Sequence, residues 1–200
     1  FLVGTQLPPP RVVRPLKTTN IPLGPTHLVA KSGEAVAGNL LRWPKTPQEK
    51  VESVALFLSG ELRGLPPLKE LAAARIVFPA VRTHDKAPTK LGVTALRTPF
   101  APRTTFDFGQ LGDVVSTIIL PAQPADAPSW NPAREFKLDV TRHVRALING
   151  DAKFRGYALR IVPDRSVDDG WTVRVQLPEQ PQVYLEVDTY ADTPATAKAK

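Results

Sequence analysis

Three histidines, His27, His84 and His143, are the side chains in this sequence best suited to general acid–base or metal chemistry, and they lie far apart with no i, i+4 pair. A zinc site needs at least three converging donors, and the order of residues assembles no such set. His84-Asp85, in a Lys/Pro-rich stretch, can touch an ion, but a solvated loop pair explains the same letters. The chain has no cysteine, which excludes disulfides, thiolate metal sites and thiol nucleophiles together. It holds no Gly-x-Ser-x-Gly elbow for an activated serine and no glycine-rich phosphate loop after a strand. Paired carboxylates of the glycosidase type are recognisable only in three dimensions. Glu135 and Asp139 are candidates, with Asp139 better explained as the start of a helix.

The remaining chemistry is that of binding. Asp164, Asp168 and Asp169 cluster beside Gly170. Hard cations such as calcium take several carboxylate and carbonyl oxygens, so calcium is the one ion these residues allow; a plain Asp-Asp-Gly hairpin turn needs none. No other cofactor is expected. Sugar recognition uses a flat aromatic ring against the C–H face of the sugar, with polar groups beside it for the hydroxyls. Trp130, in Pro128-Ser-Trp-Asn-Pro132, is the leading candidate, followed by Trp43, Tyr184 and Tyr190. A loop anchor tucked onto the domain explains Trp130 as well. An anionic sugar would call on Arg134, Arg142, Arg145, Arg160 or Arg174 for its carboxylates.

The net charge of +7 suits an anionic partner such as an acidic polysaccharide. The basic residues are scattered and form no Lys/Arg block, so nucleic acid is not expected. No apolar run reaches the length of a membrane span, so no membrane insertion is expected. Methionine is absent and the chain begins Phe1-Leu2-Val3. These features suggest a processed or excised piece of a longer protein, with export inferred from the fold.

The elements that must position these residues are strands. The 22 prolines are spread along the whole chain, which favours many short elements joined by turns, because proline interrupts helices and central strands. Trp171 to Leu177 alternates strictly, with Trp171, Val173, Val175 and Leu177 on one face. Such alternation marks a half-buried antiparallel strand, and it makes Trp171 a core residue. Residues 183–190 and 157–162 repeat the pattern; further strands are expected over 38–43, 51–58, 73–81, 90–97, 114–120 and 136–140. One helix is expected from Arg142 to Ile148, capped by Thr141 and stopped by Asn149-Gly150. Val140, Val144, Leu147 and Ile148 form its apolar stripe, which leaves His143 on the opposite, exposed side. The expected fold is an all-β, antiparallel, jelly-roll-like β-sandwich with one short helix over residues 26–190. Residues 1–25 read as a Pro-rich linker or an arm lying on the domain, and 191–200 as a flexible tail.

One stretch carries a resemblance. Phe136-Lys-Leu-Asp-Val-Thr-Arg-His-Val-Arg-Ala-Leu-Ile-Asn-Gly150, followed by Arg155-Gly-Tyr-Ala-Leu-Arg-Ile161, resembles the DNRLRE-type domain family, related to the carbohydrate-binding modules of disaggregatase-like and alginate-degrading proteins. Val54-Ala-Leu-Phe-Leu58, Ala74-Arg-Ile-Val-Phe78 and Val183-Tyr-Leu-Glu-Val187 are similar to other strands of that family. The eponymous run is missing, and Phe154-Arg155-Gly156 stands where the family has Asn-Gly-Gly or Asn-Tyr-Gly. The resemblance implies a jelly-roll sandwich carried on multidomain bacterial proteins that are secreted or held at the cell surface, with catalysis in neighbouring domains. The expected function is therefore a non-catalytic carbohydrate-binding or adhesion module. The alternative is a structural spacer or assembly domain whose partners are other proteins, and a less favoured one is a hydrolase with carboxylates hidden from sequence.

Overall fold

A computed structural model describes residues 15–43, 55–84, 89–120, 133–162, 173–177 and 182–191. Its strands are β1 (Leu16–Pro22), β2 (Thr26–Val29), β3 (Ala35–Val36), β4 (Leu40–Trp43), β5 (Ala55–Leu58), β6 (Leu71–His84), β7 (Thr89–Leu96), β8 (Leu111–Leu120), β9 (Arg134–Asp139), β10 (Tyr157–Ile161), β11 (Val173–Gln176) and β12 (Tyr184–Tyr190). The single α-helix, α1, spans Thr141–Asn149. The first sheet runs β1-β12-β6-β11-β4, with β9 also paired to β6; the second runs β3-β2-β5-β10-β7-β8. Both ladders are antiparallel throughout the described residues. The protein is an all-β sandwich, as its alternating residues predict.

Alternate residues of each sheet meet in the middle. Ala74, Ile76, Phe78, Leu138, Leu185 and Val187 from the first sheet pack in one buried cluster with Leu56, Leu58, Leu91, Val93, Tyr157 and Leu159 from the second. Burying such side chains contributes about 1.5–3 kcal/mol each relative to exposure. β6 joins the halves of the first sheet and carries Pro79, which has no N–H for the ladder. There the register slips, between Phe78 opposite Phe136 and Val81 opposite Arg134. The extra residue keeps both Phe78 and Val81 in the core.

The helix carries the chain from β9 of the first sheet to β10 of the second. Val140 and Val144 anchor it in the core, and Gly150 stops it at φ 80°, its N–H bonding back to Leu147. Thr141 does not cap it as expected. Val140 is the N-cap, without a side-chain bond. The Thr141 hydroxyl instead accepts the Ala74 N–H at 2.9 Å and donates to the Ala74 carbonyl at 3.3 Å, pinning the helix to β6. The Asp139 carboxylate accepts the Thr141 N–H at 2.8 Å, the helix-start role read from sequence. His143 is half-buried and not exposed, because its ring packs edge-on against Tyr157, with centroids 5.5 Å apart.

Two features lie outside the sequence expectation. β1 falls within residues 1–25, the stretch read as linker or arm, and pairs with β12 from Leu16↔Tyr190 to Pro22↔Tyr184. Only Ile21 of β1 packs on the core, so the segment has no alternation to read. The second feature is an aromatic cluster on the outer face of the second sheet. Phe100 and Phe106, on the segment between β7 and β8, meet Phe57 edge-on at 4.9 and 4.7 Å. This covering segment explains why all four residues of β5 are buried.

Candidate binding face

The outward face of the first sheet is a grid fixed by register. Side chains directly opposite in an antiparallel pair share a face. One row reads Pro22, Tyr184, Val77, Lys137 across β1, β12, β6 and β9; the next reads Asn20, Glu186, Arg75, Asp139; a third reads Thr18, Asp188, Ala73. The alternation of β12 makes this arrangement. Val183, Leu185 and Val187 are buried, which sends Tyr184, Glu186 and Asp188 outward.

The polar groups of the grid hold one another. Arg75 Nη1 donates to Asp188 Oδ2 at 2.7 Å and to Glu186 Oε1 at 3.2 Å. Lys137 Nζ donates to Glu186 Oε2 at 2.7 Å and lies 3.4 Å from Glu135 Oε1. The Thr18 hydroxyl donates to Asp188 Oδ1 at 2.7 Å, tying β1 to the network. Asp188 is buried on this face; the hydrogen bonds from Arg75 and then Thr18 hold its carboxyl below the usual aspartate range. Donating to Asp188 and to Glu186 raises the affinity of Arg75 and Lys137, respectively, for their protons. Tyr184, half-buried, is the aromatic member of a rigid platform whose polar groups are fixed in place.

The same face continues along β6 past the bulge. Val81 belongs to the core, and Arg82 beside it is exposed. The register sets Arg174 of β11 opposite both His84 and Arg42, and Gln176 opposite Arg82 and Leu40.

Of the residues singled out by sequence, Tyr184 falls on this face, and Arg174 pairs in the same sheet with His84 and Arg42. Trp43 ends β4 opposite Val173, next to Arg42. Arg134 is exposed at the start of β9, in register with core-facing Val81, off the grid. Arg142 is exposed on the helix, and Arg145 donates to the Leu71 carbonyl at 3.4 Å. Arg160 sits on the second sheet and donates to Thr94 Oγ1 at 3.3 Å. Tyr190 ends β12 and is exposed. Trp130, Trp171 and the candidate calcium ligands Asp164, Asp168 and Asp169 lie outside the described residues, as does Asp85. Among the described residues no three His, Asp or Glu side chains converge as a metal site. His27 is half-buried under Phe100, with ring centroids 5.5 Å apart. Sequence reasoning missed Arg75, Lys137, Asp188 and Thr18. The outward positions of β12 were legible, but their partners come from strands distant in sequence.

The class this architecture defines is an all-β sandwich with a polar, aromatic-bearing outer sheet face. No protein-family model and no curated protein matches the chain. Among solved structures, the chain is similar to an aminopeptidase from a marine sediment archaeon, Thaumarchaeota archaeon, at 12% sequence identity and a TM-score of 0.35. The match covers 87% of this chain and 37% of that one, so the present chain spans well under half the length of that enzyme. A likeness of this size carries neither fold nor activity across.

Proposed function

We propose that this chain is a non-catalytic carbohydrate-binding or adhesion module, and that its ligand lies along the outward face of the first sheet. The observation that carries the reading is the grid itself: Tyr184, between Pro22 and Val77 in its row, has Lys137 at the end of that row and Asn20, Glu186 and Arg75 in the next, on a cross-braced sheet. A sugar ring stacks on the tyrosine while fixed charges meet its hydroxyls. The net charge of +7 and the exposed Arg82 favour an acidic polysaccharide over a neutral one. In this reading the module belongs to a secreted or surface multidomain protein, and its neighbouring domains do any chemistry. The similarity of residues 136–161 to the DNRLRE-type family supports the same assignment.

Affinity electrophoresis through gels containing neutral or uronic-acid polysaccharides tests this. The native chain is retarded most by the acidic polymer. Tyr184→Ala weakens retention about tenfold, a loss of roughly 1.4 kcal/mol, and Tyr184→Phe largely preserves it. No retardation by any polysaccharide at millimolar sugar would overturn the proposal. The alternative, a spacer or assembly domain without a small ligand, draws on the internal bonding of the grid, whose carboxylates are already occupied by Arg75, Lys137 and Thr18.

A further inference from the structure

β12 begins and ends on a tyrosine, Tyr184 and Tyr190. Its ladder with β1 runs without a slip from Pro22↔Tyr184 to Leu16↔Tyr190. Successive side chains of a strand point to opposite faces, and Leu185 and Val187 are buried in the core. Tyr190 therefore shares the outward position of Tyr184, Glu186 and Asp188. Six strand steps separate the two rings, about 20 Å of extended backbone. Each ring has an apolar neighbour across the ladder, Pro22 beside Tyr184 and Leu16 beside Tyr190. Leu16 is 56% exposed and Tyr190 41%. Single exposed apolar side chains are ordinary on any protein surface. Two directly opposite each other, on a face that already carries a ring, make a second apolar shelf.

The polar stretch between the shelves is not evenly open to solvent. The Arg75 and Lys137 side chains are 33% and 40% exposed, whereas those of Glu186 and Asp188 are 14% and 11% exposed. The carboxylates are the covered members of the network and the cations its accessible ones. Glu135, exposed beside Lys137, marks the β9 margin of the strip. Because Arg75 and Lys137 are already held by hydrogen bonds, they lose little conformational freedom on meeting an anion. Charge-assisted bonds from such groups to a carboxylate are among the strong ones. Rings about 20 Å apart along the strand are too distant for one sugar to reach both.

We propose that the ligand is a linear uronic-acid chain of several linked rings lying along β12, stacked on Tyr184 at one end and on Tyr190 at the other, with its carboxylates on Arg75 and Lys137. This rests on the carbohydrate-binding reading and adds to it a second platform, a direction and a minimum length.

Isothermal titration calorimetry with oligogalacturonates tests it, from the disaccharide to oligomers that span about 20 Å. The native chain binds the long oligomers at least about tenfold more tightly than the disaccharide. Tyr190→Ala, at an exposed strand end, abolishes that gain and leaves the thermal transition in place, and Tyr190→Phe keeps the gain. Lys137→Gln weakens binding of the long oligomers about tenfold. Affinity independent of length, or unchanged in Tyr190→Ala or in Lys137→Gln, would overturn this inference and leave a short site at Tyr184. Absence of binding at every length would overturn it together with the reading beneath it.

Discussion

Tyr157 shows how closely the interior is filled, and where it is incompletely satisfied. Its ring is packed between Phe154 at 5.2 Å and His143 at 5.5 Å, while its hydroxyl is buried with no hydrogen-bond partner among the described residues. Burial drives that phenol far above its ordinary pKa. An unpaired buried hydroxyl costs about 1–3 kcal/mol, so Tyr157→Phe should leave the thermal midpoint unchanged or raise it. A drop of several degrees would show that the hydroxyl has a partner. His143 and His27 are each pushed below the ordinary histidine range by burial. The unfolded chain then binds more protons than the folded one below about pH 6.5. Stability should therefore fall as pH drops from 7.5 to 5, read from urea midpoints, and His143→Gln should flatten that slope. Phe57, which holds Phe100 and Phe106 in edge-to-face contact, should cost about 3–5 kcal/mol when cut to alanine, measured by the same melts.

At the scale of elements, legibility followed the number of faces a segment buries. β11 and β12 bury one face against the core and were readable from their period-two pattern; β10 was readable from Tyr157, Leu159 and Ile161, although Ala158 is buried in the outer cluster. β1 and β2 were not. Leu16 to Pro22 offers the core only Ile21, and Thr26-His-Leu-Val29 turns Leu28 inward while Val29 joins the outer aromatic cluster. The loop holding Phe100 and Phe106 gave no periodic signal because it docks by separate anchors. The Phe106 N–H donates to the Gly33 carbonyl at 2.9 Å, and the loop closes where the Arg97 N–H meets the Gln110 carbonyl at 2.9 Å. Gly33 has φ 92°, and a Cβ there would lie 2.1 Å from the Phe106 carbonyl oxygen. Gly33→Ala should thus cost about 1–3 kcal/mol of backbone strain and release the loop, seen as lost hydrogen-exchange protection at Phe106. An unaltered amide at Phe106 would contradict this docking. The helix was read in the right place but one residue short at each end, and Thr141 was misread as its cap because its bonds to Ala74 are tertiary and leave no local trace.

At the scale of the whole molecule, two sheets share one core and present unlike exteriors. The second sheet carries a phenylalanine cluster on its outer face. The outer face of the first is braced by Arg75 and Lys137 against Glu186 and Asp188, with Val77 fully buried at its centre. Sequence alone pointed to Tyr184 and Arg174 without showing that one sheet holds both; that needed the pairing of β12 and β11 with the long strand β6. The proposed ligand site is the outer face of the first sheet. Amide chemical-shift mapping during titration with an oligogalacturonate measures this directly. Saturable shifts confined to residues 75–77, 137 and 184–190 and to the stretch near Arg82 are the expected result. Shifts confined to the outer face of the second sheet, or none with excess oligosaccharide, would contradict it.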